Sequence, residues 1–297
     1  MATGLSLKDS GSLENMSKII IANAIANVEP AGPANQLVSR YDIPSGSKQL
    51  NIPIWKRNDA AALTEGVDIS VPQQMDANVV TVTGDEHGIL IFASDRLIHQ
   101  NNEDVLAHVG TVQGNALGRL LDTDLVTLYA SLSKTILASA AEGSIIDLAG
   151  AVSYLRTNND SDYGPAYGEL SAVLHPEHIR RLAMETAGIL GSATALTAGG
   201  APTYQGGLSE DVVKNYYRGT FGIFGVSVYE DGNITTSKGG VFQREAFALA
   251  MESEIEAEQE RDASLRGTEV VMTGIWKEKE IVDPWGVLWH GATTAIS

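Results

Sequence analysis

The feature that most constrains the fold is a run of alternating glutamates after Phe247. Its acidic members share one parity and are Glu252, Glu254, Glu256, Glu258 and Glu260. Successive side chains of a strand point to opposite faces, so this period places all five carboxylates on one face. A helix would align like charges at four-residue spacing, where they repel. The run therefore predicts a long strand with one acidic face, which suits a protein that contacts other copies of itself.

The composition favours a soluble chain with a sizeable core. The 297 residues are 43% hydrophobic, and acidic residues exceed basic ones by 37 − 20 = 17. Basic residues form no cluster larger than a pair, such as Lys56-Arg57. Tight neutralisation of nucleic-acid phosphates is therefore not expected, because it needs several cations on one surface. No apolar run is long enough to cross a bilayer, and no secretory leader opens the chain.

The sequence offers no residues for common catalytic chemistry. Cysteine is absent, which excludes disulfides, thiolate nucleophiles and Cys-ligated zinc. The Gly-x-Ser-x-Gly elbow and the Gly-rich phosphate loops are also missing. We therefore predict no catalytic, cofactor-binding or metal-binding residues, no cofactor and no enzymatic activity.

The loop from Asn158 to Glu169 has some features of a calcium-binding loop. Asn158, Asp160, Asp162 and Glu169 match positions 1, 3, 5 and 12 of an EF-hand loop, but Tyr163 stands where the sharp turn needs Gly. We expect a solvated Asn/Asp loop.

A pair of histidines near the start of the helix predicted from Pro176 has the spacing of roughly one helical turn. His175 and His178 lie three apart, but the spacing is not His-Glu-x-x-His and a third ligand is not evident. A polar helix start accounts for them.

The first part of the chain reads as an arm followed by a long hairpin. Residues 1–45 are rich in Ser, Asn, Gly and Pro, with one short helical patch at Met16–Asn27. Extended runs then fall at Gln49–Trp55, Asn78–Val82 and Ile89–Phe92, which predicts a two-stranded excursion over 46–92. An isolated hairpin is marginal in water, so it either folds back on its own domain or lies on a neighbour.

A 3.6-residue apolar rhythm predicts one long helix from Asn102 to Ala140. Gly110, Gly114 and Gly118 form a stripe along it, which indicates either a weak, kinked helix or close approach of another backbone.

A mixed α/β segment and a sheet-rich tail follow. We predict helices at Ile145–Thr157 and from Pro176 to about Ala187, and a loop at Gly191–Gly207. The predicted strands are Leu170–Leu174, Ile223–Tyr229, Val241–Glu260, Val270–Lys277 and Glu280–Trp289.

The order of these segments resembles the major capsid proteins of tailed bacteriophages with the Hong Kong 97 fold. Three local sequence segments support the resemblance. They are the Leu170–His178 stretch, the Thr220–Tyr229 strand and the Gly239–Ala250 stretch before the acidic strand. The resemblance covers nearly the whole chain. It implies an α+β fold with an N-terminal arm (1–45), an extended loop (46–92), a peripheral domain with a spine helix (93–143 and 240–269) and an axial domain (144–239 and 270–297).

The resemblance implies a structural function. Copies of the chain would form pentamers and hexamers in an icosahedral shell around double-stranded DNA, which they contact non-specifically, in a virion assembled in the host cytoplasm. The short arm leads us to expect a separate scaffolding protein, besides a portal and without a membrane. Some relatives crosslink Lys to Asn, but no motif maps such a partner for Lys56, so noncovalent locking is expected. The alternatives are an encapsulin shell enclosing a cargo enzyme and, in another class, a calcium- or metal-dependent cytosolic enzyme.

Overall fold

The computed structural model describes residues 32–60, 62–66, 68, 73–100, 105–137, 143–186, 220–223, 225–235 and 237–291. The predicted helical patch at Met16–Asn27 and the predicted loop at Gly191–Gly207 lie outside these residues. The α-helices of the described part are α1 Ala34–Leu37, α2 Asp95–Gln100, α3 Val105–Thr127, α4 Ile145–Thr157 and α5 Pro176–Thr186. Its strands are β1 Ser39–Asp42, β2 Gln49–Trp55, β3 Ala77–Thr83, β4 Asp85–Ser94, β5 Thr135–Ile136, β6 Leu170–Leu174, β7 Thr220–Ile223, β8 Val226–Glu230, β9 Lys238–Gln243, β10 Phe247–Asp262, β11 Gly267–Glu280 and β12 Gly286–His290.

The first sheet has four strands in the order β1-β10-β11-β4. Strand β10 contains the alternating glutamates, and its exposure alternates as predicted, so the strand prediction is confirmed. The inner face is apolar and packs against α3, with Leu249, Met272 and Trp276 fully buried. One face of this sheet is therefore core, and the other is exposed from Glu252 to Glu260 but buried at Ala248 and Ala250.

Helix α3 is shorter than the predicted Asn102–Ala140. It ends at Thr127, and a 3₁₀ turn at Leu128–Ser131 leads into β5. The apolar rhythm continues past the helix because Tyr129 and Leu132 are buried in the same core. Leu137 has a φ of 75°, which a right-handed helix does not allow. The apolar periodicity therefore does not show where α3 ends, because the 3₁₀ turn after it places its apolar side chains in the same core.

The glycine stripe belongs to a continuous helix whose inner face meets the first sheet. Gly110, Gly114 and Gly118 are buried on α3. On the same helix, Gln113 is fully buried and its Nε2 donates to the backbone oxygens of Val270 (2.8 Å) and Ile89 (3.3 Å). The Gln113 side chain therefore attaches α3 to β11 and β4. The two interpretations of the glycine stripe both stay predictions.

The second sheet has six strands in the order β5-β12-β9-β6-β8-β7, with α4 and α5 packed on it. Helix α4 and strand β6 have the predicted bounds, and α5 ends at Thr186, close to the prediction. Helix α4 begins with a capping box between Ser144 and Asp147. Residues of α4, α5, β6, β9 and β12 form one core, so these elements belong to one packed unit.

Three predicted strands are interrupted in the structure. The strand predicted at Ile223–Tyr229 is the end of β7 and most of β8, with Gly225 at a φ of 77° between them. The strand predicted at Val241–Glu260 is broken at Arg244–Ala246, where the chain passes from the second sheet to the first. The strand predicted at Glu280–Trp289 is broken by a 3₁₀ turn at Asp283–Trp285. The first break is a turn between two paired strands of the second sheet, and the other two are the places where the chain passes from one sheet to the other. Hydrophobic patterning does not show either kind of break.

Strands β2 and β3 form a separate two-stranded hairpin whose base packs on the first sheet. Ile52 and Val82 of the hairpin share a small core with Ala248 and Ala250 of β10. Strand β4, expected within the extended loop, pairs instead with β11. The hairpin is therefore shorter than the predicted excursion over 46–92.

The expected domain boundaries do not follow the sheets. Strand β11 falls mostly beyond the expected boundary at residue 269, yet it pairs along its length with β10. Strand β9 was expected to belong with β10, yet it pairs with β6 and β12. The reason is local, because the turn at 263–266 returns the chain directly beside β10, as sequential strands usually do.

Candidate assembly surfaces

The acidic face of β10 is exposed along its whole length. All five glutamates are exposed, whereas Met251, Ile255 and Ala257 pack against the core beneath. None of the ion pairs found within the described residues involves any of the five. A row of carboxylates without counterions favours contact with a cationic surface or with solvent.

An apolar edge borders the acidic face. Leu90 and Phe92 of the edge strand β4 are 56% and 40% exposed. The strand register places Glu258, Val271 and Leu90 in one row across the sheet, and Glu260, Glu269 and Phe92 in another. The same outer face thus combines carboxylates with exposed apolar side chains, a mixture that interfaces use and that a solvated surface does not need.

The far end of the hairpin carries a cluster of ion pairs. Lys56 Nζ lies 3.1 Å from an Asp76 carboxylate oxygen and 3.3 Å from one of Asp162. Hydrogen bonds and charge from these two carboxylates raise the pKa of Lys56, and Lys56 in turn lowers the pKa of Asp76. Lys56 therefore joins the two hairpin strands to the loop after α4.

Further hydrogen bonds attach the hairpin to the same loop. The Arg57 backbone N–H donates to Asp162 O at 2.7 Å, and Arg57 Nη1 donates to Asn159 Oδ1 at 3.1 Å. Asn78 of β3 is hydrogen bonded to the Tyr163 hydroxyl. The carboxylates of the two ion pairs are exposed, although the Lys56 side chain is only 25% exposed, and solvent screening weakens such pairs. The hairpin is thus held firmly at its base and weakly at its far end.

The loop considered as a calcium site is organised by its own hydrogen bonds. Asp160 Oδ1 accepts from the backbone N–H groups of Asp162 (2.9 Å) and Tyr163 (3.1 Å), an Asx turn. Gly164 follows at a φ of 70°, and its carbonyl accepts from Trp285 Nε1 at 3.1 Å. Within the described ranges, no group of three or more His, Cys, Asp or Glu is arranged to hold a metal ion. The far end of the hairpin packs on this loop through the hydrogen bonds and the Lys56–Asp162 ion pair described above.

The two histidines have separate structural positions. His175 Nδ1 accepts from the Glu177 backbone N–H at 3.2 Å, which caps the start of α5. His178 is buried, with its ring edge-on to Trp289 at 6.0 Å. The polar helix start expected from the sequence is present.

The structure reveals three buried carboxylates that sequence analysis missed. Asp122 and Asp231 lie together, and Glu278 lies apart on β11, each 6% exposed or less. Burial raises the pKa of Asp122 and that of Glu278 to about 7. Asp122 occupies an ordinary position in an amphipathic pattern, so no sequence signal marks it as buried.

The comparisons identify the fold. The sequence matches no protein-family model, and no curated protein matches it. Solved structures do match over most of the chain. The capsid of cyanophage P-SCSP1u is 16% identical with a TM-score of 0.62 and covers 87% of each chain. A structure of Mycobacterium phage Che8 is 17% identical, with a TM-score of 0.64 over 86% of this chain and 89% of the other.

A further match broadens the group of proteins with this fold. The virus-like particle from Pyrococcus furiosus is 12% identical, with a TM-score of 0.61 over 92% of this chain and 98% of the other. The chain therefore has the fold of phage capsid subunits, and the predicted α+β fold of Hong Kong 97 type is confirmed. Within the described residues, no helix is long and apolar enough to span a membrane.

Proposed function

We propose that the chain is the major capsid protein of a tailed bacteriophage, with a structural and non-enzymatic role. Many copies would close into an icosahedral shell of pentamers and hexamers around double-stranded DNA, in a virion assembled in the host cytoplasm. The observation that carries the proposal is the fold match to a cyanophage capsid over 87% of both chains. The acidic and apolar outer face of the first sheet supports it, because such a face suits contacts between subunits.

Domain roles follow from the two sheets. The first sheet with α3 would be the peripheral domain, and α3 its spine helix. The second sheet with α4 and α5 would be the axial domain, which gathers around the five-fold and six-fold axes. A net charge of −17 is consistent with only non-specific contact with packaged DNA, because a negatively charged shell does not bind the negatively charged phosphates tightly.

Correct closure would depend on other components. A separate scaffolding protein and a portal are the expected partners during assembly. The test is to express the chain alone and together with a scaffolding protein encoded beside it, and to image both products. Uniform closed shells only with the scaffold would support the proposal. Identical products in both cases would argue against a scaffold.

The hairpin is proposed to exchange its contacts on assembly. In the single chain its far end lies on the 159–163 loop of the same chain, through Lys56 and Asp162. Because these contacts are exposed and weak while the base is anchored in a core, the far end can leave this loop at little cost and bind the equivalent loop of a neighbour. The subunits would then be locked noncovalently.

The absence of cysteine makes this exchange directly testable. Lys56→Cys with Asp162→Cys, treated with a short bismaleimide, should give a monomer band in free subunits and a ladder of covalent oligomers in assembled particles. Lys56→Cys with Asp76→Cys is the matched control, because both residues belong to the hairpin, and it should give monomers in both states. A monomer band from particles of the first variant would show that the hairpin stays on its own chain.

An encapsulin shell is the second candidate, favoured by the match to the Pyrococcus furiosus virus-like particle. Such a shell would close without a scaffold and would enclose a cargo enzyme. Small uniform shells from the chain alone, together with a co-purifying enzyme, would support it.

A further inference from the structure

Three parts of the chain meet at two buried carboxyl groups. Asp122 lies on α3 and is fully buried, and Asp231 follows β8 and is 3% exposed. Asn233 connects them, since its Nδ2 donates to Asp122 Oδ2 at 2.7 Å and its backbone N–H donates to Asp231 Oδ1 at 2.8 Å. The other oxygen of each group, Asp122 Oδ1 and Asp231 Oδ2, is buried without a hydrogen-bond partner.

The third part is the segment that enters the domain before α1. Gly32 adopts a φ of 80° and lies so close to Asp122 that a Cβ there would overlap the carboxyl group. The Ala34 backbone N–H also faces Asp122, and it partly offsets the rise in the pKa of that carboxyl group. Asp122 therefore binds the entering segment and the turn after β8 at the same time.

Two adjacent buried carboxylates are unfavourable if both are ionised. Neither takes part in an ion pair within the described part of the chain, and no Lys, Arg or His lines the adjoining cavity of about 500 Å³. The other titratable groups nearby are Glu230 and Tyr229 at the cavity and the buried phenol of Tyr129. Burial and the charges of Asp231 and Asp122 raise the pKa of Tyr129, so its phenol stays protonated and adds no negative charge beside the pair.

A single proton between the two groups resolves this arrangement. A carboxyl group that donates to a carboxylate satisfies both unpartnered oxygens and leaves one negative charge in place of two. We propose that Asp122 and Asp231 share one proton, and that this proton fastens the 32–37 segment and the turn at 230–233 to helix α3. Loss of the proton leaves two facing anions and loosens the junction. The cavity beside Asp231 gives water a route to the pair.

The direction of the pH dependence follows from the geometry. Burial and the neighbouring Asp231 charge raise the pKa of Asp122 to about 7, whereas the unfolded carboxyl titrates near 3.8. The closed junction therefore holds more protons than the open one between these values, and closure weakens as pH rises towards about 7. One linked proton changes the opening equilibrium about tenfold per pH unit in this interval, and the dependence flattens above it.

Hydrogen exchange of the full chain tests the proposal. Peptides covering 32–37 and 226–235 should lose protection about tenfold per pH unit between about pH 5 and about pH 7, after correction for intrinsic exchange. In Asp122→Asn the amide donates to Asp231 at every pH, so protection should no longer depend on pH. Asp231→Asn should behave in the same way, which covers the case in which one variant fails to fold.

A matched control separates this pair from other buried acids. Glu278 is also buried, with a pKa of about 7, but it lies apart on β11. Glu278→Gln should leave the slope at 32–37 and 226–235 unchanged. Retention of the slope in both Asn variants would overturn the proposal. Loss of protection at about pH 5 on addition of EDTA would also overturn it, because a cation would then hold the pair.

Discussion

Replacing Glu278 should make the fold more stable at high pH and leave it nearly unchanged at low pH. Glu278 lies on β11, is 6% exposed, and has one carboxylate oxygen without a partner. Burial raises its pKa to about 7, and the nearby Asp124 charge adds to this effect. Ionisation of Glu278 therefore lowers the stability of the folded state, and Glu278→Gln removes this cost because Gln does not ionise.

The magnitude follows from linkage between protonation and folding. The difference between a pKa of about 7 in the folded chain and 4.5 in the unfolded chain, at about 1.4 kcal/mol per pKa unit, gives an upper limit of about 3 kcal/mol. Because the folded pKa is raised, the stabilising effect of the proton is complete below about pH 4.5 and is lost as pH rises through about 7. We expect Glu278→Gln to gain about 1–3 kcal/mol over the parent at about pH 8 and little at about pH 5.

Urea unfolding monitored by tryptophan fluorescence measures this difference, and Trp276, fully buried in the same strand, is a suitable reporter. The matched control is Glu256→Gln on the exposed face of β10, which should change stability by about 0.5 kcal/mol or less at either pH. An equal loss of stability in Glu278→Gln at both pH values would refute the reasoning, because it would show that the ionised carboxylate is well accommodated.

Four further substitutions can be tested with the same unfolding assay. Leu125→Ala on α3 should lower the unfolding free energy by about 2–4 kcal/mol, because the side chain is 1% exposed in the first core. Gly240→Ala should cost about 1–3 kcal/mol, since its Cβ would lie 2.8 Å from the Tyr129 ring, whereas Gly150→Ala, with open space around it on α4, should gain up to about 1 kcal/mol. Lys56→Ala should change the stability of the free subunit much less than Leu125→Ala does, since the carboxylates that pair with Lys56 are exposed. A loss as large as that of Leu125→Ala would show that the hairpin end is a firm part of the free fold.

Hydrophobic periodicity correctly predicted the elements whose pattern of exposed and buried residues is regular from end to end. The acidic strand, helix α4 and strand β6 were predicted because each has one regular face pattern or continuous burial. The resemblance to capsid proteins then predicted the overall fold from the order of these elements. Both predictions depend on regular features that are local in the sequence.

The missed features depend on contacts between distant residues. The apolar rhythm of α3 continues through Tyr129 into a different element, because one core receives both. The pairing of β11 with β10 crosses the expected domain boundary at residue 269, because the turn at 263–266 returns the chain beside β10. Asp122 and Asp231 are 109 positions apart, and only the folded chain shows that both are buried and share Asn233.

The most direct test of the central claim is negative-stain electron microscopy of the chain expressed alone, with its gel-filtration profile over a range of concentrations. A major capsid protein without its scaffold should give open, aberrant or mixed shells, or free pentamers and hexamers. Small closed shells of a single size would favour an encapsulin. A monodisperse monomer at every concentration would contradict the assignment of this chain as a shell subunit.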